Sequence, residues 1–529
     1  MSRERSVSAG YGAVAVALTA VVLYALALGN GFALDDVAII PGDPRVTGMR
    51  IGALLTQPYW SEAALGLYRP IASLTYALDW SVSNGSAAWF HFTNLLWHAL
   101  ASVLAYALLR KFFRPVPALI GGLIFAAHPV HTEAVANVVG RNELIAAVFF
   151  LAACLVWIME SLQPLTRVLL TAACYALAML AKESAVMLPA VLVLIDAARA
   201  GSHPQERHRW RDYAVLGIVL AGFMLLRWSV LGGLGPARVD PALELTRTAG
   251  QRILTALQAW PTYARLLFFP RVLLADYGPR ILLPIESWTP AATLGLTLLI
   301  ATVTGGVVAL RRGEHVWALG LLWFPVTILP VSNFLMPIGV MVAERTLYLP
   351  SLAVCIAAAG LLSHPRALTI SGARVLLAVV LLALAVRTVT RVPAWKSTDS
   401  IMMALARERP DAFRGQWHAA RMARARQDVN GALAGYDRAL SLWPFREGLV
   451  REAAAYASSQ GREAWATNLA SYGAQRWPNN VDFHRLLAAY ALDHGDTTRA
   501  RALLARARRL HPADSILNQM WRAITPGHQ

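Results

Sequence analysis

The sequence predicts an all-α chain in two parts, a polytopic membrane domain over residues 1–392 and a helical α-solenoid over residues 393–529. Three observations predict it. Of 529 residues, 57% are hydrophobic and only 15% charged, a balance that fits a multi-spanning membrane protein and not a soluble chain of this length. About eleven apolar runs approach the roughly 20 residues needed to cross a bilayer. From about Trp395 those runs stop and an internal period begins.

The predicted spans are, approximately, 10–29, 92–110, 116–131, 143–160, 166–181, 184–198, 212–230, 291–310, 315–331, 346–363 and 373–390. The third and sixth are short. The long stretch 231–290 carries an amphipathic piece around Gln251 to Phe269. Arg3 and Arg5 precede the first run, which lacks a small-residue cleavage site, so an uncleaved first helix is expected rather than a signal peptide. Cys154, Cys174 and Cys355 all lie inside apolar runs and no CxxC occurs, which argues against both a disulfide framework and a metal knuckle.

Lys and Arg in the short loops set the expected orientation. One alternate set of loops holds Arg3 and Arg5; Arg110, Lys111 and Arg114; Arg167; Arg199, Arg207, Arg209 and Arg211; Arg311 and Arg312; Arg366 and Arg374. That set is expected in the cytoplasm. With an odd number of helices the C-terminal part then ends outside. The Ala- and Arg-rich composition suggests a bacterial inner membrane, with the C-terminal part in the periplasm. The net charge of +17 is dispersed over these loops and the C-terminal part, not gathered on one face, so no nucleic-acid partner is expected.

The internal period is 34 residues, read from Pro410, Pro444, Pro478 and Pro512. It is the period of the tetratricopeptide repeat, a helix–turn–helix unit. Ala420, Ala454 and Ala488 recur in register, as do Ala432, Ala466 and Ala500, where helices must approach closely. Tyr436, Ala470 and Leu504 follow on the same face. Gly461 and Gly495 mark the turn between helices, with Gln427 at that place in the first copy. Three repeats follow, about 413–446, 447–480 and 481–514, a surface of the kind that binds a peptide or partner. Arg421, Arg424, Arg438, Arg485, Arg499 and Arg506 should make it basic.

The residues with chemical potential gather in the other set of loops. Asp35 and Asp36 follow the break Gly29-Asn30-Gly31 at the end of the first span. Adjacent carboxylates raise each other's pKa, so one of them suits general-base work near neutral pH. The alternative is a solvated loop with Asp35 as a helix N-cap. Asp36 lies further from the membrane break and is favoured as the base, though both stay open. Tyr68-Arg69-Pro70 comes next. His91, Asn94 and His98 share one helix face; they suit a site or polar contacts between helices. His128-Pro129-Val130-His131-Thr132-Glu133 leads to Gly140-Arg141-Asn142-Glu143. Two imidazoles three apart make a weak zinc pattern and no HExxH is present, so a divalent metal is possible but no ligand set is assigned. Lys182-Glu183 is either a phosphate contact or an ion pair at a helix end. Arg69, Arg141 and Arg345 are either site cations or interfacial side chains.

Several of these runs resemble the transmembrane and tetratricopeptide-repeat-containing O-mannosyltransferases. The resemblance is carried by Leu34-Asp35-Asp36, Tyr68-Arg69-Pro70, His128-Pro129-Val130-His131-Thr132-Glu133 with Gly140-Arg141, and Leu180-Ala181-Lys182-Glu183. It continues in Phe269-Pro270 to Asp276-Tyr277, Pro330-Val331-Ser332-Asn333, and Ala343-Glu344-Arg345-Thr346-Leu347-Tyr348-Leu349-Pro350-Ser351. It covers most of the chain, though only three repeats are clear. It implies the GT-C class of membrane glycosyltransferases, a polyprenyl-phosphate-linked sugar such as mannose as donor, and inverting transfer to a hydroxyl of a protein or glycan held by the repeats. It also implies catalytic acids at Asp35 and Asp36. Donor and acceptor contacts are then expected from Arg69, His91, His128, His131, Glu133, Arg141, Lys182, Glu183, Glu344, Arg345 and Tyr348. No nucleotide fingerprint is needed, because such a donor arrives on a lipid. The other readings are a membrane-anchored scaffold without activity and a transferase of cell-envelope glycan assembly; about eleven spans are more than an anchor needs.

Overall fold

A computed structural model describes residues 2–60, 66–199, 210–233, 243, 245–246, 248–279, 282, 285, 287–364, 366 and 371–524, leaving aside the side chains of residues 2–9. Arg207 and Arg209, and the side chains of Arg3 and Arg5, lie outside the described residues. Among the described residues every regular element is helical. The chain forms two compact units, one of Met1–Gly278 with Leu282–Ile401, the other of Pro279–Ile281 with Met402–Gln529.

In the first unit a helix stands at each predicted apolar run. Among the described residues seven are long and apolar enough to cross a membrane alone: Gly10–Gly29, Ala87–Leu109, Val138–Trp157, Pro164–Ala181, Trp210–Leu231, Pro290–Arg311 and Ser371–Lys396. An eighth is the pair Pro115–Ala127 and Pro129–Ala136, bent by 42°. Three other predicted spans are shorter helices, Leu188–Arg199, His315–Ile328 and Leu352–Leu362. Each of these has a 3-10 segment on one side: Glu183–Met187, Leu329–Val331 and Glu344–Leu347, the last separated from its helix by a short turn. The helix is shortened where the chain turns out to present polar residues. The helices are also unequally enclosed. The most hydrophobic window of Val138–Trp157 is 83% buried, against 17% for Trp210–Leu231 and for Pro290–Arg311. Val138–Trp157 is therefore the central helix, and the polar residues at its start need protein partners instead of water.

Residues 30–60 and 66–86, between the first two spans, form a small folded layer. It carries the helices Asp35–Ile39, Pro44–Thr47, Ile51–Thr56 and Pro70–Ser83. Ile39, Ile40, Val46, Leu54, Tyr59, Ala72, Tyr76 and Phe90 pack there with Val138 and Val139 at the start of the central helix. Each fully buried aliphatic side chain contributes about 1.5–3 kcal/mol. Asp43 caps the helix Pro44–Thr47 and pairs with Arg45 at 2.6 Å; Arg45 also donates to the carbonyls of Pro58 and Tyr59.

In the second unit, helix pairs begin at Phe413, Glu447 and Val481, 34 residues apart: Phe413–Ala425 with Val429–Leu442, Glu447–Ser459 with Glu463–Arg476, and Val481–Asp493 with Thr497–Leu510. The recurring Ala420, Ala454, Ala488, Ala432, Ala466 and Ala500 are all buried, as are Tyr436, Ala470 and Leu504. Gly461 and Gly495 turn at φ +69° and +74°, and Gln427 takes φ 62° at the equivalent place. A last helix, Ser515–Ile524, packs Leu517 onto Ala488, Leu504 and Ala507 and closes the stack.

Candidate active site

The acid pair is set by a strained turn. Gly31 N–H donates to Lys396 O at 2.9 Å and Asn30 Nδ2 to Val392 O at 3.1 Å. Leu34 then takes φ 51°, ψ −119°, with its N–H on Thr398 Oγ1 at 2.8 Å. A non-glycine residue there stores strain of about 1–3 kcal/mol, so the surrounding bonds must hold it. The turn starts the helix Asp35–Ile39 and points the two acids differently. Asp36 is fully buried. Its carboxylate accepts N–H bonds from Ala33 (3.1 Å), Val138 (3.2 Å) and Val139 (2.7 Å). Burial pushes it up to about 7, against the pull of those three donors and with Asp35 adding to the rise. Asp35 is half-buried, and among the described residues no group donates a hydrogen bond to it. It lies within electrostatic reach of Arg345 and Tyr59.

Four cations with glutamate partners form a linked group next to this position, Arg345 being the one within electrostatic reach of Asp35. Arg345 pairs with Glu133 through its guanidinium and through its N–H, the latter at 2.9 Å. Arg69 Nε donates to Glu183 Oε2 at 3.0 Å and its guanidinium lies 5.4 Å from the Tyr59 ring centre. Arg227 approaches the same glutamate at 3.5 Å. Lys182 pairs with Glu143, both buried. Lys182 feels Arg69, Arg345, Glu183 and Glu133, so burial and the two cations draw its ammonium well below the ordinary range. Burial alone would raise Glu183, but Arg69 and Arg227 outweigh it and hold the carboxyl low. Arg345 rises above the ordinary arginine value, chiefly through Glu133. Of 48 basic residues in the chain only Lys111, Lys182 and Lys396 are lysines. A compact ammonium in place of the usual guanidinium suits a tight slot and a point contact.

Asp35, Arg69, Glu133, Lys182, Glu183 and Arg345, all anticipated from the sequence, thus come together. The other expected contacts are buried among partners of their own. Arg141 is fully buried and pairs with Asp79 at 2.6 Å. His91 Nε2 meets Gly31 O at 3.1 Å, and His128 Nε2 meets Leu267 O at 3.0 Å. His131 Nε2 is 2.8 Å from Ser351 Oγ, and Tyr348 OH 2.7 Å from His98 Nδ1. The rings of His131 and Tyr348 pack with centres 4.4 Å apart, tilted by 43°, in one aromatic cluster. Glu344 accepts from Leu274 N–H and from Tyr277 OH. These side chains join helices and loops to one another, as buried polar groups must. His128, His131 and Glu133 do not converge, and among the described residues no group of three His, Cys, Asp or Glu is placed to hold a metal ion. The cysteines are free.

Tyr59, Glu143 and Arg227 were not anticipated as site residues. Arg227 had a signal: a lone cation inside the apolar run 212–230 is functional or paired by default. Tyr59 had none, since nothing local marks it.

No family model matches the chain. It is similar to a protein O-mannosyl-transferase of Caenorhabditis elegans, 27% identical over 393 residues, covering 72% of this chain and 55% of that protein. It is similar also to a mouse protein O-mannosyl-transferase, 29% identical over 420 residues, covering 71% of this chain and 45% of that protein. The chain thus spans about half the length of these curated relatives. Among solved structures, an oligosaccharyltransferase of Archaeoglobus fulgidus tethered to an acceptor peptide shows a loose likeness: 13% identity, TM-score 0.38, covering 76% of this chain and 57% of that one.

Proposed function

We propose that this chain, a multi-pass membrane relative of the transmembrane and tetratricopeptide-repeat O-mannosyltransferases, is a GT-C-class glycosyltransferase. It moves a sugar, mannose by analogy with the relatives, from a polyprenyl-phosphate donor to a hydroxyl acceptor. The single observation that carries the mechanism is Asp35, a half-buried carboxylate without a hydrogen-bond donor beside a group of glutamate-oriented cations. Asp35 takes the proton of the acceptor hydroxyl as its oxygen attacks the anomeric carbon. The bond from that carbon to the phosphate oxygen breaks on the opposite face, and the phosphate leaves with the electron pair, so configuration inverts. Arg345, Lys182 and Arg69 hold the phosphate and its developing charge. Asp36, buried under three N–H donors, holds Asp35 in place; sequence position favours Asp36 as the base with both acids left open, and the burial of Asp36 supports its neighbour instead.

The basic loops face the cytoplasm, so Asp35 lies at the outer face of a cell inner membrane. The repeats carry the acceptor, a protein Ser/Thr by analogy with the relatives. A cleft of about 470 Å³ in them is lined by Arg424, Arg451 and Arg485, by Glu452 and Asp482, and by Phe483 and Met520, with Asp482 pairing with Arg451 and Arg485, which suits an extended segment of mixed polar and apolar side chains. Purified protein incubated with a panel of polyprenyl-phosphate sugars and acceptor peptides tests the reading. Wild type should transfer from one donor with inversion, and Asp35→Asn should lose about 10²–10⁴-fold in rate. Turnover near wild type in Asp35→Asn would remove the base assignment.

A further inference from the structure

We propose that Asn94 and Arg141 are positioning residues for the carboxylate pair. They touch no reacting atom, but they fix the main-chain segment on which Asp36, and through it Asp35, is held. The inference rests on Asp35 being the base.

Asn94 sits in the helix Ala87–Leu109 and is fully buried. Its Nδ2 donates to the carbonyls of Val135 (3.2 Å), Asn137 (3.4 Å) and Val138 (3.2 Å). Those carbonyls belong to the bend between the short helix Thr132–Ala136 and the central helix. Arg141 Nε donates to Asn94 Oδ1 at 2.6 Å. A guanidinium has no acceptor, so only the amide oxygen can face it, and the NH₂ end is thereby directed at the bend. Arg141 is itself anchored. It pairs with Asp79, donates to Phe90 O (2.9 Å) and Thr93 Oγ1 (2.6 Å), and lies over the rings of Tyr76 and Phe90 at 5.0 and 5.5 Å.

Held on its carbonyl side, the bend presents the N–H groups of Val138 and Val139 to Asp36. The next residue leaves little room for adjustment. A Cβ added at Gly140 would stand 2.4 Å from Ala134 O, closer than any real contact. The chain therefore reads Arg141, Asn94, the 135–139 bend, Asp36, Asp35, each link a bond to the next. A displacement of about 1 Å at a reacting group can lower a rate about 10²-fold without touching affinity.

The test uses full-length protein reconstituted in lipid nanodiscs, with transfer kinetics and hydrogen exchange read on the same samples. Asn94→Leu should lower kcat about 10–100-fold and leave the donor KM within about twofold. On an Asp36→Asn background the same change should cost less than about threefold more, because both act along one chain of contacts. Segments 33–40 and 132–140 should lose exchange protection together. A raised donor KM with unchanged kcat would overturn the proposal, as would losses that multiply independently of Asp36. If Asn94→Leu does not insert, Thr93→Val removes one Arg141 contact and should give a smaller loss of kcat with the same non-additivity; a fully additive loss there also overturns it. Turnover near wild type in Asp35→Asn would defeat the base reading alone. Unchanged protection of 33–40 in Asn94→Leu would defeat the positioning link whatever Asp35 does.

Discussion

In the membrane unit, Lys182 and Glu143 are each 8% exposed, and Arg141 and Asp79 are 0% and 9% exposed. In the repeats, Arg421 and Glu452 stand at 53% and 16%, and Arg451 and Asp482 at 51% and 37%. Both units join an arginine or lysine to an acid, yet the pairs do different things. Removing one partner of a buried pair strands a charge and costs about 3–5 kcal/mol. An exposed pair is worth about 0–1 kcal/mol, since water takes over. The buried pairs hold cations at fixed points, while the exposed ones adjust the register of stacked helices. The difference teaches that charge count says little about a site until burial and partner are known. Residues 402–529 carry eighteen arginines against eleven acids, far more charge than the loops around Asp35.

The largest expected effect lies in the acids. Asp35→Asn should lose about 10²–10⁴-fold in transfer rate, and Asp36→Asn about 10–100-fold with donor affinity kept. A deeper loss in Asp36→Asn would reverse the roles assigned to the two. Next comes the contrast between pairs. Glu143→Gln should destabilise the protein by about 3–5 kcal/mol and Arg451→Ala by less than about 1 kcal/mol, read by denaturant-induced unfolding of the reconstituted chain. Equal shifts in both would break the comparison.

Donor binding gives a third test. A hydrogen bond to a charged group is worth about 1.5–3 kcal/mol, so Lys182→Gln and Arg345→Gln should each weaken donor binding roughly 10–100-fold and leave acceptor binding within about twofold. Donor affinity unchanged in both variants would reduce the two cations to ion pairs alone.

Smaller effects follow from protonation. Burial pushes Asp36 up to about 7 and Glu344 up to about 8, the latter with Arg391 pulling it down and Glu133 adding to the rise. Both groups bind a proton more tightly folded than unfolded. Their contribution to stability is therefore complete below about pH 4 and is lost as pH rises through about 7 to 8. Thermal midpoints should fall between pH 5 and pH 8.5 in wild type and fall less in Asp36→Asn and in Glu344→Gln. An identical fall in all three would show that neither carboxyl sets it. Smallest of all, Gln427→Gly should raise the stability of the repeats by less than about 1 kcal/mol, because Gln427 holds φ 62° where the other two repeats use glycine. A loss of stability there would show that the Gln427 side chain matters more than its backbone.

The helices and the 34-residue register of the repeats are legible in the chain; the change of organisation read at residue 393 falls short of the first unit, which runs on to Ile401. Helices and register are local: apolar length, helical period and a recurring alanine act within a turn or one repeat, and Ala420, Ala454 and Ala488 are buried where the period places them. The sequence also located Asp35 and Asp36, Arg69, Lys182 and Arg345, because ionisable residues beside apolar runs are few. Which residues meet around the acids depends on long-range packing. Arg69 finds Glu183 across 114 residues and Arg345 finds Glu133 across 212. No spacing rule reaches that far, and whether a polar side chain lines a site or joins two helices depends on what the fold packs against it. Arg141 shows this most plainly: the family resemblance implied a donor contact, and in the fold it is buried beside Asp79 and Asn94.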